Sequence, residues 1–272
     1  MKSKYVNPFT DFGFKKLFGE EASKPLLIDF LTSLLPESNI VDLSFKDKEK
    51  QGKSDEERKA IYDIYCDTNK DEKIIVELQK AKQNYFKDRT IFYATFPIQE
   101  QAERGDWNYE LKAVYCVGIL DFKFDDYKAS ENKEVVHIVQ LKDQNNDLFY
   151  KKLKFVYLEM PHFEKTVDEL ETRLDKWLYF IKHLEDFQDI PMIFKDEIFY
   201  QAFKTAEIAN YSPQERDVYE QSLKSYRDLK NVIDTAVDNN TMEISKRLKN
   251  EGMPTDFITK ITGLTKDEID KL

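Results

Sequence analysis

Two neighbouring runs, Ala60-Ile61-Tyr62-Asp63-Ile64-Tyr65-Cys66-Asp67 and Lys73-Ile74-Ile75-Val76-Glu77-Leu78-Gln79, decide how this chain is read. Both are rich in the β-branched and aromatic residues that suit a pleated, half-buried surface. Between them stand Thr68-Asn69-Lys70-Asp71, which favour a turn, so the pair reads as a β-hairpin. Each strand carries an acid in its middle, Asp63 in the first and Glu77 in the second. Acids are depleted in strands, and a buried charge needs a partner. Their separation of 14 positions suits a hairpin that sets them side by side. Side chains alternate with period two, so Glu77 and Gln79 share a face while Lys80 turns away from it. If Asp63 points to that face as well, three oxygen-bearing side chains converge. Two close carboxylates repel unless a cation sits between them. Mg²⁺ suits such a pair, since it binds through one or two carboxylates and keeps several waters. One of those waters can serve as the nucleophile in phosphodiester hydrolysis. The competing structural reading is a half-exposed sheet with one polar face.

Upstream of the hairpin, residues 8–35 read as helical. Thr10 caps a first helix, Asp11 suits its positive end, Phe12, Phe14, Leu17 and Phe18 form its apolar face, and Gly19 ends it. A second helix runs from about Ser23 to Leu35, before Pro36. Alternation from Asn39 to Phe45 marks a strand, and the charged stretch 46–59 a loop or solvated hairpin end. Downstream, a long helix is expected from about Asn84 to Arg104, bent near Pro97 and stopped by Gly105. Leu111 to Phe122 is apolar on both faces and reads as a central strand. Val135 to Leu141 and Leu153 to Glu159 add two more, and everything beyond Pro161 is helical. This order defines a mixed α/β core with an α-helical C-terminal extension. The divisions expected are a catalytic domain over 1–190, a helical extension over 191–240 and a helix-turn-helix-like tail over 241–272. In that tail Met242 to Asn250 and Thr255 to Thr262 are helices, and Thr265 with Glu268 forms a capping box for a third. Asp267, Glu268 and Asp270 make the last helix acidic, which leaves DNA contact and protein contact both open.

With 272 residues, 41% hydrophobic and 14% aromatic, the chain has the apolar surface for a real core. Its formal net charge of −10 argues against nonspecific nucleic-acid binding by the whole surface, but not against a local basic groove. Lys80, Lys82, Lys87 and Arg89 form such a cluster around Tyr85 and Phe86, with an ordinary solvated helix face as the alternative. Arg89 and Tyr93 are four apart, on one helix face. Cys66 and Cys116 sit in apolar runs with no CxxC spacing and read as buried thiols. His137, His162 and His183 share no ligand spacing and read as structural. Val167, Leu170, Leu174, Trp177, Ile181 and Leu184 recur at three- and four-residue steps, a core-packing stripe. No apolar run approaches the roughly 20 residues that span a bilayer, so a soluble, cytoplasmic protein with no membrane partner is expected.

An Asp in one strand followed by Glu-x-Gln in the next resembles the PD-(D/E)XK nuclease signature. The chain is similar to one branch of it, the recombination-promoting nucleases and transposases of bacteria. The matching stretches are Asp11-Phe12-Gly13-Phe14-Lys15-Lys16-Leu17-Phe18-Gly19, Tyr62-Asp63-Ile64-Tyr65-Cys66 and Ile75-Val76-Glu77-Leu78-Gln79-Lys80, then Arg89, Tyr93 and Gly118-Ile119-Leu120-Asp121-Phe122. The resemblance implies a restriction-endonuclease-like core and DNA cleavage assisted by Mg²⁺ or Mn²⁺. It implies that Asp63, Glu77 and the Leu78 carbonyl ligate the metal and that Gln79 takes the position of the signature lysine. It leaves Lys80, Lys82, Lys87, Arg89 and Tyr93 as substrate contacts and Asp11 as an additional acid, or simply a residue matched to the helix dipole. A lysine orients water and stabilises negative charge, whereas a neutral amide only orients. The alternative function is therefore a nuclease fold with weak or lost cleavage that binds DNA or protein. DNA is the expected partner, and a homo-oligomer is left open.

Overall fold

In the computed structural model, residues 3–50, 60–102, 105–124 and 134–272 are described. Two helices open the chain. Helix α1 (Asp11–Phe18) is capped by Thr10, whose Oγ1 accepts from the Gly13 amide at 3.0 Å. A Cβ on Gly13 would collide with the Asn7 carbonyl, so this turn requires glycine. Helix α2 (Lys24–Leu34) has Pro25 in its first turn and buries Leu26, Leu27, Phe30, Leu31 and Leu34.

The strands follow as β1 (Leu43–Phe45), β2 (Glu49–Lys50), β3 (Ala60–Ile61), β4 (Ile64–Thr68) and β5 (Lys73–Gln79). Helix α3 (Phe86–Gln99) leads to β6 (Val114–Leu120), and β7 (Val136–Lys142) turns back into β8 (Leu148–Glu159). Six strands form one sheet in the order β1-β4-β5-β6-β8-β7, and β2 pairs with β3 alone. The β5–β6 and β6–β8 pairings are parallel and the others antiparallel. Every residue of β6 is buried, and so is β5 beyond Lys73, as expected for central strands covered on both faces. Parallel registry places Glu77, Gly118 and Tyr157 in one row and Gln79, Leu120 and Glu159 in the next.

Several boundaries differ from the sequence reading for local reasons. Ala60 to Asp67 is not one strand, because the chain bends at Asp63 between β3 and β4. The Asp63 amide donates to the Glu77 side chain at 3.2 Å, so a carboxylate takes the donor. Asn39 is left-handed (φ 49°), and the first strand starts only at Leu43. Left-handed Tyr85 (φ 60°) delays α3 to Phe86, and the helix closes two residues after Pro97. The expected final turn at 103–104 and the loop positions 51–59 lie outside the described residues. Strand β8 begins five residues earlier than expected, at Leu148.

Helices α4 (Arg173–His183) and α5 (Glu197–Ala206) pack with α1 and α2 through an aromatic core that includes Phe18, Phe30, Trp177, Phe180, Phe199 and Phe203. Leu170, Trp177, Ile181 and Leu184 are buried, in line with a packing stripe. Cys66 and Cys116 are buried free thiols, and burial pushes Cys66 up to about 12. Helix α6 (Pro213–Asn250) runs 38 residues, so the expected helix at Met242 is its last part and not a separate element. Helices α7 (Thr255–Thr262) and α8 (Lys266–Asp270) follow, with the Thr265–Glu268 capping box in place. The chain forms two compact units, Met1–Ser222 and Leu223–Leu272. The second buries Ser245, Ile258 and Ile269, and Lys249 Nζ donates to the Ile269 and Asp270 carbonyls. Among the described residues no helix is long and apolar enough to cross a membrane.

Candidate active site

The bend at Asp63 builds the site. It lifts Asp63 out of the ladder beside the end of β5, where each acid accepts from an amide of the other's segment. The Asp63 amide donates to Glu77 Oε1 at 3.2 Å, and the Leu78 amide donates to Asp63 Oδ2 at 2.8 Å. The Leu78 amide therefore faces Asp63, and its carbonyl lies on that same edge of the strand. Glu77 is 9% exposed and Gln79 6%. Gln79 Nε2 donates to Glu77 Oε2 at 3.1 Å, so the two do share a face.

This is an electrostatically uncompensated place. Burial, and then the charge of Asp63, push the Glu77 carboxyl up to about 8. Burial also raises Asp63, against the Leu78 amide and the charges of Lys15 and Lys80, while Asp11 adds to the rise. Among the described residues the cation paired with Glu77 is Arg89, whose Nη2 stands 3.9 Å from Oε2, beyond hydrogen-bond range. A pair of buried acids held together at this cost fits a cation. The donor set is oxygen only: two carboxylates and a backbone carbonyl. Among the described residues no group of three or more His, Cys, Asp or Glu is disposed to hold a metal. Two carboxylates suffice for Mg²⁺, which completes its shell with water, but not for a structural zinc.

Helix α3 covers the Gln79 face. Arg89 Nη2 donates to Gln79 Oε1 at 2.7 Å, and Nη1 donates to Gln83 Oε1. The guanidinium lies 5.5 Å from the Tyr93 ring centre and 5.9 Å from that of Phe86. Tyr93 is fixed from below, where the Tyr62 hydroxyl donates to its carbonyl at 3.1 Å. Gly118 sits beside Glu77, and a Cβ there would come within 3.0 Å of the Tyr157 ring. Its absence lets Tyr157 reach Thr90, oxygen to oxygen at 2.7 Å, which anchors α3 to the sheet.

Helix α1 meets the other side. Lys80 turns away from Gln79, as alternation requires, and its Nζ pairs with Asp11 at 2.8 Å. Asp11 and Lys15 stand four apart on one helix face. Lys15 bears electrostatically on both Asp63 and Glu77. Sequence reasoning missed Lys15; its one signal was this spacing from Asp11, on a helix not then placed beside the hairpin. Gln83 was missed too, for want of any pattern. The structure thus brings Asp63, Glu77, Leu78, Gln79 and Arg89 together, with Tyr93 behind and Asp11 and Lys80 at one flank. Lys82, four residues before α3, and Lys87, in its first turn, are exposed, and Lys87 Nζ lies 4.9 Å from the Phe124 ring centre.

A family model described as PD-(D/E)XK nuclease family transposase matches residues 8–236. No curated protein and no solved structure matches the chain.

Proposed function

The chain belongs to the PD-(D/E)XK nuclease family of transposases, and from that premise we propose that it is a metal-dependent DNA endonuclease centred on Asp63 and Glu77. One observation carries the reading: Glu77 is a buried acid whose neighbour is another acid, with Arg89 at 3.9 Å and no lysine or arginine hydrogen-bonded to it among the described residues. Asp63, Glu77 and the Leu78 carbonyl would hold Mg²⁺ or Mn²⁺, which when bound supplies Lewis acidity and an acidified water.

The rest falls to the chain's own groups. The Asp63 and Leu78 amides hold the two carboxylates in fixed orientation. Gln79 bonds to Glu77 and orients it. Lys82, Lys87, Arg89 and, from the α1 side, Lys80 and Lys15 would draw the phosphate backbone to this edge despite the net charge of −10. Asp11 holds Lys80 in place and is best assigned there, not to the metal. The tail over 241–272 would act as a helix-turn-helix-like DNA or protein contact, and the reaction would take place in the cytoplasm.

Nicking of supercoiled plasmid with Mg²⁺, with Mn²⁺ and with EDTA tests the proposal. Asp63→Ala and Glu77→Ala should each abolish cleavage while the variants melt as folded proteins. Cleavage that survives EDTA or both substitutions would sink it. DNA binding without cleavage in any metal would favour the noncatalytic alternative that Gln79, a neutral amide in the lysine position, brings into view.

A further inference from the structure

We propose that Arg89 supplies the positive charge of the reaction centre and that Gln79 is the residue that positions it; this rests on the nuclease reading above. Gln79 itself has no charge to offer to a phosphoryl oxygen. Its two ends are spoken for: Nε2 donates to Glu77, and Oε1 accepts from Arg89 Nη2 at 2.7 Å. The amide is therefore a rigid link between the buried acid and a guanidinium that projects from α3.

The company Arg89 keeps points to a working cation. An arginine carries five N–H donors. Two are used here, and both go to neutral amide oxygens, of Gln79 and Gln83. Its Nε is buried without a hydrogen-bond partner. Among the described residues no carboxylate lies within its hydrogen-bond range, and Glu77 stands 3.9 Å away. Two rings flank the group and restrict its motion, yet the side chain is 30% exposed. Arg173 shows the contrasting structural use. It makes four hydrogen bonds to the carboxylates of Asp29 and Asp196, and its charge is consumed there. A guanidinium held in place by amides, with donors left over, matches the planar, doubly accepting oxygens of a phosphodiester. Held beside the acids, it would act on charge that develops in the transition state.

The test is single-turnover cleavage by the full-length chain, with Mn²⁺ affinity by calorimetry and DNA affinity in Ca²⁺ measured alongside. Arg89→Ala should slow cleavage by about 10²-fold or more, the scale of a lost transition-state donor. Mn²⁺ affinity should stay unchanged and DNA affinity should fall far less than the rate. Gln79→Ala should give a similar loss, and Arg89→Ala with Gln79→Ala together little more than either, because the two act as one unit. Gln79→Lys in the Arg89→Ala background should restore much of the rate by placing a charge directly on the strand. Arg89→Lys, which keeps charge and bulk, guards against a folding defect and should retain partial activity. Wild-type rates in Arg89→Ala would overturn the proposal while leaving the metal site standing. So would a rate loss wholly explained by weaker DNA or Mn²⁺ binding, or failure of Gln79→Lys to rescue. No metal-dependent cleavage by the wild-type chain would overturn both this and the nuclease reading.

Discussion

The hairpin β4–β5 buries an acid at each end, and the two ends are built on opposite plans. Asp67, 9% exposed, lies across the ladder from Lys73, whose Nζ is 2.6 Å from its carboxylate; Lys46 adds a second contact at 3.1 Å. Glu77, equally buried, has Asp63 beside it, a guanidinium at 3.9 Å and the field of Lys15. The same residue chemistry, in one hairpin, is matched in charge by two lysines at one end, although Asp67 Oδ1 lacks a hydrogen-bond partner, and left short of positive charge at the other, although both Glu77 oxygens accept hydrogen bonds. A buried carboxylate with two lysines is part of the scaffold. On the proposed reading, a buried carboxylate paired with another carboxylate is the place for a cation from outside. Glu159 is a third case: 1% exposed, it has His137 Nε2 from β7 at 3.1 Å and His162 Nε2 from the turn after β8 at 3.3 Å.

The comparison breaks or sharpens most sharply through stability. Asp67→Ala should destabilise the fold by about 1–3 kcal/mol, because it strands Lys73; the half-exposed Lys46 loses less. Glu77→Gln should do the reverse and raise stability in the absence of metal. Urea titrations of the two variants give the signs directly, and equal signs would abolish the distinction.

The pH dependence gives the next largest effect. Glu77 titrates at about 8 in the fold against 4.5 unfolded. Such a raised acid contributes fully below pH 4.5, and its contribution is lost as the pH climbs through 8. Metal-free wild type should therefore lose stability across that window, and Glu77→Gln, which never ionises, should not. The gap between them should widen with pH to about 1 kcal/mol or more, with roughly 2–4 °C of Tm for each kcal/mol in a chain of this size. Excess Mn²⁺ should flatten the wild-type slope, since it binds the ionised pair. Parallel melting curves at pH 5 and pH 8.5 would refute this.

The smallest effects belong to the C-terminal unit. A chain ended near Asn239 should keep metal-dependent cleavage, as Asp63, Glu77 and their sheet lie upstream within Met1–Ser222. If the tail holds DNA, truncation should flatten the dependence of affinity on salt by about one unit of slope per lost phosphate contact. Lys246 and Arg247 would make those contacts; Lys249 is engaged with α8 carbonyls and would not. Affinity measured at several salt concentrations, with light scattering for assembly state, separates DNA contact from protein contact. No change in either leaves the tail a packing element.

Much of this architecture was legible without coordinates. The hairpin, the 14-residue interval between two strand acids, the shared face of Glu77 and Gln79, the Thr10 and Thr265 caps and the helical C-terminal part all follow from patterns of period 2 or 3.6 and from capping chemistry. These are local rules, imposed by backbone geometry over a few residues, and a sequence displays them directly. Only the tertiary structure decided that Asp63 sits at a bend and not within a strand, since its amide leaves the ladder for a side chain 14 residues away. Only it brought Arg89 onto Gln79, Lys15 into the field of both acids, and two widely spaced histidines onto Glu159. The meetings at Gln79 and at the two acids depend on how α1 and α3 settle their apolar faces against the sheet, and that of His137 with Glu159 on the β7–β8 pairing. That packing is set by shape and burial summed over the whole core, which no spacing along the chain encodes.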